Sequence, residues 1–400
     1  MNPAIISLLI VDDDPVFTRF VRQLVQSLGG ELPCAAQCAG TAGAALAELA
    51  RNAYELVLLD YNLPDGDGLQ VLAQIRMLAP DRQPAVIMLT ASGSEAVAVE
   101  AMKRGAKDYL AKASLDVPSL TRAVQSALAQ KRLAAQVAAF NAQREADLNM
   151  ARRLQQSLLP DRYPVFPRTA SPEQSALRFA HRFHPAAELA GDFFSVLGLS
   201  DTQAGVFICD VMGHGVRSAL VTSMLRALVD SRAPGIADPG QFLLEMNRRL
   251  KGLFNQTDGP MFATAFYLVA DAATGQMCYA NAGHPRPLHF QHQAGRVAPL
   301  TLPAHAGPAL GLFDDAQYVC GQCPLLPGDR LLLFTDGLFE VTAADGQTDF
   351  GQERLLAAAQ ARMNLPPARL LDELVAEVRA FSGGAEFSDD VCLLAIEVAT

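Results

Sequence analysis

The stretch IISLLIVDDD at residues 5–14 decides the fold of the first part of the chain. Its apolar run, Ile5–Val11, is nearly continuous rather than alternating, which is typical of a strand buried on both faces of a parallel sheet. The run ends directly in Asp12, Asp13 and Asp14. In open parallel sheets, functional residues lie beyond the carboxyl ends of the strands. The stretch therefore predicts a central strand that delivers acidic side chains to the functional edge of a sheet.

Two further apolar runs, Leu56–Leu59 and Val86–Leu89, have the same character. Helical patterns accompany these runs, near residues 15–28, 42–52, 68–79 and 94–104. Strands that alternate with helices predict a doubly wound α/β parallel sheet. More polar residues then fall at the predicted strand ends, namely Asp60, Thr90, Tyr109 and Lys112.

The three carboxylates Asp12, Asp13 and Asp60 would repel one another at one sheet edge unless a cation held them together. Hard oxygen ligands favour Mg²⁺. An aspartate beside Mg²⁺ can act as a nucleophile and accept a phosphoryl group. A lysine and a threonine hydroxyl can bind the new phosphoryl oxygens, which gives Lys112 and Thr90 a role.

Residues 1–117 resemble a response-regulator receiver domain, which has a flavodoxin-like fold. The matching stretches are LLIVDDDP, LVLLDYNLPDGDG, MLTA and DYLAK. The resemblance implies that Asp60 is phosphorylated by a histidine kinase or a phosphotransfer protein. It also implies a Mg²⁺ site and a phosphoryl-responsive surface. The metal ligands are Asp12, Asp13, Asp60 and the backbone carbonyl of Asn62, the switch residues are Thr90 and Tyr109, and Lys112 binds the phosphoryl group.

Residues 118–160 differ from both flanks in charge, with a net +4 between segments of −5 and −9. They contain no proline or glycine between Pro118 and Pro160, so we expect one long helix. Apolar residues form a broken heptad pattern, interrupted at Arg144. They are Leu133, Val137, Phe140, Leu148, Ala151, Leu154 and Leu158. The pattern fits a parallel coiled coil that makes a homodimer, or a single amphipathic helix docked on one domain. Prolines then predict an extended connection at 161–175.

The last segment combines clusters of strands and helices, which predicts an α+β fold with sheets under helical layers. Four aspartates stand beside apolar runs and glycines in this segment: Asp192, Asp210, Asp336 and Asp389. A carboxylate beside a buried strand is unfavourable unless it is hydrogen-bonded or ligated. Any one of them could be a structural cap, but four together predict a site for Mg²⁺ or Mn²⁺. Two such ions can generate a hydroxide and stabilise phosphoryl displacement.

Residues 176–400 resemble the PPM family of metal-dependent serine/threonine phosphatases, in its SpoIIE/RsbU branch. The matching stretches are GDFF, DVMGHGVRSAL, FATAFYLV, NAGHPRPL, LLLFTDGLFE and SDDVCLLAIE, and ARRLQQSLLP before them. The resemblance implies a β-sandwich flanked by helices, with two Mn²⁺ or Mg²⁺ ions. Asp210 would bridge the ions, the Val211 carbonyl would add a ligand, and Asp192, Asp336 and Asp389 would complete the site. His214 and His284 lie in matching motifs, and we expect local structural roles for them.

The assembled chain is expected to be a two-component response regulator in which phosphorylation of Asp60 controls a protein serine/threonine phosphatase. The branch implies a phosphorylated anti-sigma-factor antagonist as the substrate. The alternative is a non-catalytic adaptor that binds a sigma factor or an anti-sigma partner. Retention of all four aspartates favours the enzyme.

Composition limits the partners and the cellular compartment that we expect for this activity. The net charge of −10 argues against nucleic acid as the main partner. No apolar run approaches the ~18 residues of a membrane-spanning helix, so no membrane partner is expected. Seven scattered cysteines make a disulfide framework improbable and favour a reducing cytoplasm.

Overall fold

The computed structural model describes residues 5–28, 32–91, 95–213, 215–233, 236–254, 261–303 and 306–399. The chain divides into two compact units, Met1–Arg144 and Glu145–Thr400. None of the helices in these ranges is long and apolar enough to cross a membrane.

The first unit contains a parallel sheet, a small hairpin and helices. Its strands are β1 (Ile6–Val11), β2 (Cys34–Ala39), β3 (Leu56–Asp60), β4 (Asn62–Leu63), β5 (Gly66–Asp67), β6 (Ala85–Thr90) and β7 (Asp108–Ala111). Its helices are α1 (Pro15–Ser27), α2 (Ala42–Arg51), α3 (Gly68–Arg76), α4 (Glu95–Lys103) and α5 (Val117–Ser157), the last of which continues into the second unit.

The parallel sheet has the strand order β2-β1-β3-β6-β7, which confirms the doubly wound α/β prediction. One face packs on α1 and the start of α5, through residues such as Val21, Val25 and Val124. The other face packs on α2, α3 and α4. The strands β1 and β3 pair with Val11 opposite Leu59, so the next residues, Asp12 and Asp60, emerge side by side at one sheet edge.

The helix α5 confirms the long helix expected from the sequence, but it ends at Ser157, before the predicted end at Pro160. Its first turns dock on the first unit, where Leu120, Val124 and Leu128 are buried. Beyond them the apolar side chains Leu133 and Phe140 are 62% and 69% exposed. The beginning of this helix is therefore docked on the first unit, whereas its middle is exposed, and the coiled-coil homodimer stays a prediction.

The second unit contains two antiparallel sheets and four helices among its described residues. Its strands are β8 (Leu177–His184), β9 (Asp192–Gly198), β10 (Gln203–Val211), β11 (Ala263–Asp271), β12 (Gln276–Ala282), β13 (Leu288–Gln291), β14 (Arg296–Pro299), β15 (Gly321–Pro324), β16 (Arg330–Phe334) and β17 (Val391–Val398). Its helices besides the end of α5 are α6 (Val216–Arg232), α7 (Pro239–Phe254), α8 (Gly351–Ala361) and α9 (Pro367–Phe381). The connection 161–175 is irregular, apart from a short 3₁₀ turn that starts at Pro172.

The two sheets have the orders β15-β12-β11-β10-β9 and β14-β13-β16-β17-β8. Their inner faces share one core, in which Ile208 and Phe266 of the first sheet meet Leu333 and Leu394 of the second. The outer face of the first sheet is covered by α6 and α7, and that of the second by α8 and α9. This arrangement is a β-sandwich flanked by helices, as the sequence predicts.

Candidate functional site

The four aspartates of the second unit come together at one end of the sandwich. Asp192 lies directly opposite Asp210 on the neighbouring antiparallel strands β9 and β10. Asp336 follows β16 and Asp389 precedes β17, and these two strands are paired in the other sheet. Asp192 and Asp389 thus stand at the starts of strands, whereas Asp210 and Asp336 stand at or just after the ends of strands. Antiparallel pairing explains why starts and ends of strands meet at one edge.

Burial and mutual repulsion dominate the electrostatics of this group. Burial, together with the charges of Asp336 and Asp389, raises the pKa of Asp210 to about 7. Burial and the charge of Asp210 raise the pKa of Asp192 well above its usual value. Buried carboxylates that repel one another are stable as anions only with a cation between them. The donor set therefore fits hard divalent ions such as Mg²⁺ or Mn²⁺.

A threonine that the sequence analysis did not single out fixes the orientation of Asp192. The Thr335 hydroxyl donates a hydrogen bond of 2.6 Å to Asp192 Oδ2. The Thr335 hydroxyl oxygen in turn accepts a hydrogen bond of 2.9 Å from the backbone N–H of Cys392. The sequence feature that could have pointed to Thr335 is its position as a polar residue between the apolar run Leu331–Phe334 and Asp336.

The pair Asp389 and Asp390 divides into two structural roles. The buried Asp390 accepts hydrogen bonds from the backbone N–H groups of Ala186, at 2.8 Å, and Gly191, at 2.6 Å. Its carboxylate thus ties the loop before Asp192 to the start of β17. The carboxylate of Asp389 is exposed and acts on Asp210 through its charge. Of the two aspartates, Asp389 is the one that the matching stretch SDDVCLLAIE implies as a ligand.

Two motif glycines allow the backbones around the site to approach closely. A Cβ atom on Gly191 would lie 2.7 Å from the Val211 carbonyl oxygen. A Cβ atom on Gly337 would lie 2.1 Å from the Asp390 carbonyl oxygen. Any larger residue at either position would push apart the segments that carry the aspartates.

A cavity of about 330 Å³ opens beside Asp336. Glu340, a residue to which the sequence analysis gave no role, lines this cavity. Burial and the charges of Asp336 and Asp389 raise the pKa of the Glu340 carboxyl. His284 also lines the cavity, and its Nδ1 lies 2.9 Å from Thr264 Oγ1. Burial lowers the pKa of His284 to about 3, so the ring is neutral. His214, the other motif histidine, lies outside the described residues.

The first unit carries a second acidic group. Ligand oxygens of Asp12, Asp13 and Asp60 all lie within 4.8 Å of one another. The Lys112 Nζ atom lies 2.6 Å from Asp12 Oδ2 and 2.9 Å from Asp60 Oδ2. Burial raises the pKa of Asp60, and Lys112 opposes this effect. The chemistry of this group fits a hard divalent cation.

The remaining predicted receiver residues lie on strands of the same unit. Thr90, the last residue of β6, is buried, whereas Tyr109 of β7 is 45% exposed. Asn62 is exposed at the start of β4, directly after Tyr61. Asp14 is the N-cap of α1, because its side chain accepts a hydrogen bond from the Val16 N–H, and it takes no part in the acidic group.

Residues 200–399 match the family described as stage II sporulation protein E (SpoIIE), and residues 8–125 match the response regulator receiver domain. Phosphoserine phosphatase RsbP of Bacillus subtilis (strain 168) is 28% identical over 261 residues, which are 65% of this chain and 59% of that protein. Phosphoserine phosphatase RsbU of the same strain is 28% identical over 203 residues, 50% of this chain and 56% of that protein. The chain thus spans less than two thirds of either relative.

The fold has a counterpart among solved structures. The SiaA-PP2C domain of Pseudomonas aeruginosa superimposes with a TM-score of 0.55 at 24% identity, covering 65% of this chain and 99% of that domain. The SpoIIE match covers half of the chain. The chain therefore belongs to the SpoIIE family of PPM-type phosphatase domains, here joined to a response regulator receiver domain.

Proposed function

We propose that the chain is a response regulator whose second unit hydrolyses phosphoserine or phosphothreonine in a protein, under the control of phosphorylation at Asp60. The observation that carries the proposal is the convergence of Asp192, Asp210, Asp336 and Asp389 at one end of the sandwich. Carboxylates that repel one another this strongly are typical of functional sites, and bound cations would offset the repulsion.

Two Mn²⁺ or Mg²⁺ ions would be held by these four aspartates and the Val211 carbonyl. Bound ions of this kind activate a water molecule and stabilise the charge of phosphoryl displacement. The protein contributes the placement of the ligands. Thr335 orients Asp192, and Asp390 fixes the loop that precedes it.

The first unit would receive its phosphoryl group from a histidine kinase or a phosphotransfer protein. Asp12, Asp13, Asp60 and the Asn62 carbonyl would hold Mg²⁺, and Asp60 would act as the nucleophile. Lys112 already contacts Asp60 and is placed to pair with the added phosphoryl oxygens. Thr90 and Tyr109 would convert this event into a change of surface.

The substrate we propose is a phosphorylated anti-sigma-factor antagonist in the cytoplasm. Support comes from the similarity to RsbP and RsbU, both named phosphoserine phosphatases. All seven cysteines are free thiols, which is consistent with a reducing compartment.

Hydrolysis of p-nitrophenyl phosphate in Mn²⁺ tests the active site. Loss of a group that only hydrogen-bonds to a metal ligand lowers activity by roughly 10–100-fold. Asp210→Ala removes a proposed ligand itself, so we expect a larger decrease in the rate. Asp314→Ala, which removes an exposed carboxylate elsewhere in the same unit, should leave the rate unchanged. Full activity in Asp210→Ala would refute the metal site. No turnover by the wild type, combined with sigma-factor binding, would favour the adaptor.

A further inference from the structure

The cavity beside Asp336 brings together three parts of the second unit. The loop after β12 contributes His284 and Arg286. The segment after β16 contributes Asp336 and Glu340, and Gln352 comes from the first turn of α8. A ligand in this cavity would therefore touch the edge of the aspartate group directly.

Arg286 is the cationic side chain that lines this cavity. It is exposed, and among the described residues its guanidinium has no hydrogen bond and no carboxylate within ion-pair distance. Other arginines of the unit are paired, for example Arg182 with Asp372 at 2.5 Å and Arg330 with Glu397 at 2.9 Å. Arg286 thus keeps its donors free for a ligand.

The loop that presents Arg286 is held rigidly. Pro285 and Pro287 flank the arginine and restrict the backbone on both sides. The Asn281 side chain accepts a hydrogen bond of 2.9 Å from the His284 N–H and donates one of 2.8 Å to the His284 carbonyl. The His284 ring is bonded in turn to Thr264, which stands opposite Asp210 in the β10–β11 pair. The backbone that carries Arg286 therefore needs little ordering when a ligand arrives.

We propose that Arg286 binds the oxygens of the substrate's phosphoryl group in this cavity. The planar guanidinium matches two phosphoryl oxygens at once, which a lysine ammonium cannot do. A dianion that approaches Asp336 and Glu340 meets negative charge, and Arg286, which lines the same cavity, offsets part of that charge. The ligand class is a phosphate monoester or free phosphate. The identity of the monoester as a phosphoprotein rests on the proposed function.

The affinity for inorganic phosphate measures this contact directly, without requiring turnover. Calorimetry on the full chain in Mn²⁺ would compare the wild type with Arg286→Ala and Arg286→Lys. Charge-assisted hydrogen bonds predict that Arg286→Ala weakens phosphate binding by about 10-fold or more. Arg286→Lys keeps the positive charge, so its phosphate affinity should fall between those of the wild type and Arg286→Ala. Arg248→Ala removes an exposed arginine of α7 and should bind as the wild type does.

Kinetics with p-nitrophenyl phosphate give a second readout, in which Arg286→Ala should raise KM more than it lowers kcat. Unchanged phosphate affinity in a folded Arg286→Ala, or an equal loss in Arg248→Ala, would overturn the inference. Absence of phosphate binding by the wild type would overturn it too. If the alanine variant is unfolded, the phosphate affinity of Arg286→Lys decides instead. Arg286-dependent phosphate binding without wild-type turnover would refute the proposed phosphatase function and leave the binding site standing.

Discussion

Asp192 and Asp210 lie opposite each other on two neighbouring strands, and burial disfavours the charged form of both carboxyl groups. Raising the pKa of a carboxyl group makes the folded state bind more protons than the unfolded state between the two pKa values. The free energy of unfolding then falls as pH rises through that range. For Asp210 the range runs from the ordinary value of 3.8 to about 7. Above it, the folded protein carries an unfavourable charge that a metal ion can neutralise.

Asp210→Asn should therefore stabilise the second unit when a chelator removes metal at pH 8. We expect a rise of several degrees in the melting midpoint of this unit, since 1 kcal/mol shifts such a unit by roughly 2–4 °C. At pH 4 the variant and the wild type should melt together. Mn²⁺ should raise the midpoint of the wild type much more than that of the variant. A lower midpoint for Asp210→Asn at pH 8 in chelator would contradict the electrostatic account.

The sequence identified the aspartates that converge, because each stands beside an apolar run in a stretch that matches a known motif. It did not identify Thr335, Glu340 or Arg286, whose importance depends on partners that only the folded chain brings near. Asp390 shows the reason most clearly. The two N–H groups that its carboxylate binds belong to Ala186 and Gly191, about 200 residues earlier in the chain.

At the scale of elements, the end of α5 contacts the loop that leads to Asp192. The Gln155 side-chain amide donates a hydrogen bond of 2.7 Å to the Ala190 carbonyl and accepts one of 3.0 Å from the Ala190 N–H. The next residue, Gly191, is bonded to Asp390. The helix and the aspartate group are thus linked by consecutive hydrogen bonds within the second unit.

Gln155→Ala should lower the rate of p-nitrophenyl phosphate hydrolysis by roughly 5-fold or more, because an unsatisfied backbone group next to the site costs at least about 1 kcal/mol. Gln156→Ala, which changes the exposed neighbour, is the matched control and should have no effect. Equal rates for the two variants would show that this contact does not position the site.

The exposed apolar side chains in the middle of α5 predict a homodimer. Leu133 and Val137 lie one helical turn apart and are 62% and 51% exposed. Sedimentation of the wild type should give twice the chain mass of 42.7 kDa, and Leu133→Glu with Val137→Glu should give the single mass. Gln136→Glu adds charge at an exposed position of the same helix and should leave the dimer intact. A monomeric wild type, or a dimer that survives both changes, would refute this interface.

Long elements were predictable because their patterns extend over many residues. The helix 118–160 was expected and Val117–Ser157 was found, since the absence of proline and glycine is a strong signal. The short strands β13, β14 and β15, of four residues each, were not predicted. Runs of that length carry too little periodicity, and their pairing with distant strands decides their conformation.

At the scale of the whole molecule, a basic segment, 118–160, stands between the acidic segments 1–117 and 161–400, and each acidic segment has its own group of aspartates. The net charge of −10 includes seven aspartates assigned by proposal to metal ions. If the proposed ions bind, they account for a considerable part of this acidity without a basic partner. Control of one unit by the other requires that phosphorylation favour one conformation of the phosphatase over another.

The central claim is that phosphorylation of Asp60 controls hydrolysis of a phosphoprotein. The most direct measurement is the rate at which the full chain, in Mn²⁺ and Mg²⁺, dephosphorylates a panel of phosphorylated anti-sigma-factor antagonists, with and without acetyl phosphate. Wild type and Asp60→Ala are compared, and mass spectrometry verifies the phosphoryl group. A coupling of ~1–3 kcal/mol predicts that the donor raises the wild-type rate by roughly 5–150-fold and leaves Asp60→Ala unchanged. Equal rates for phosphorylated and unphosphorylated wild type would contradict the account.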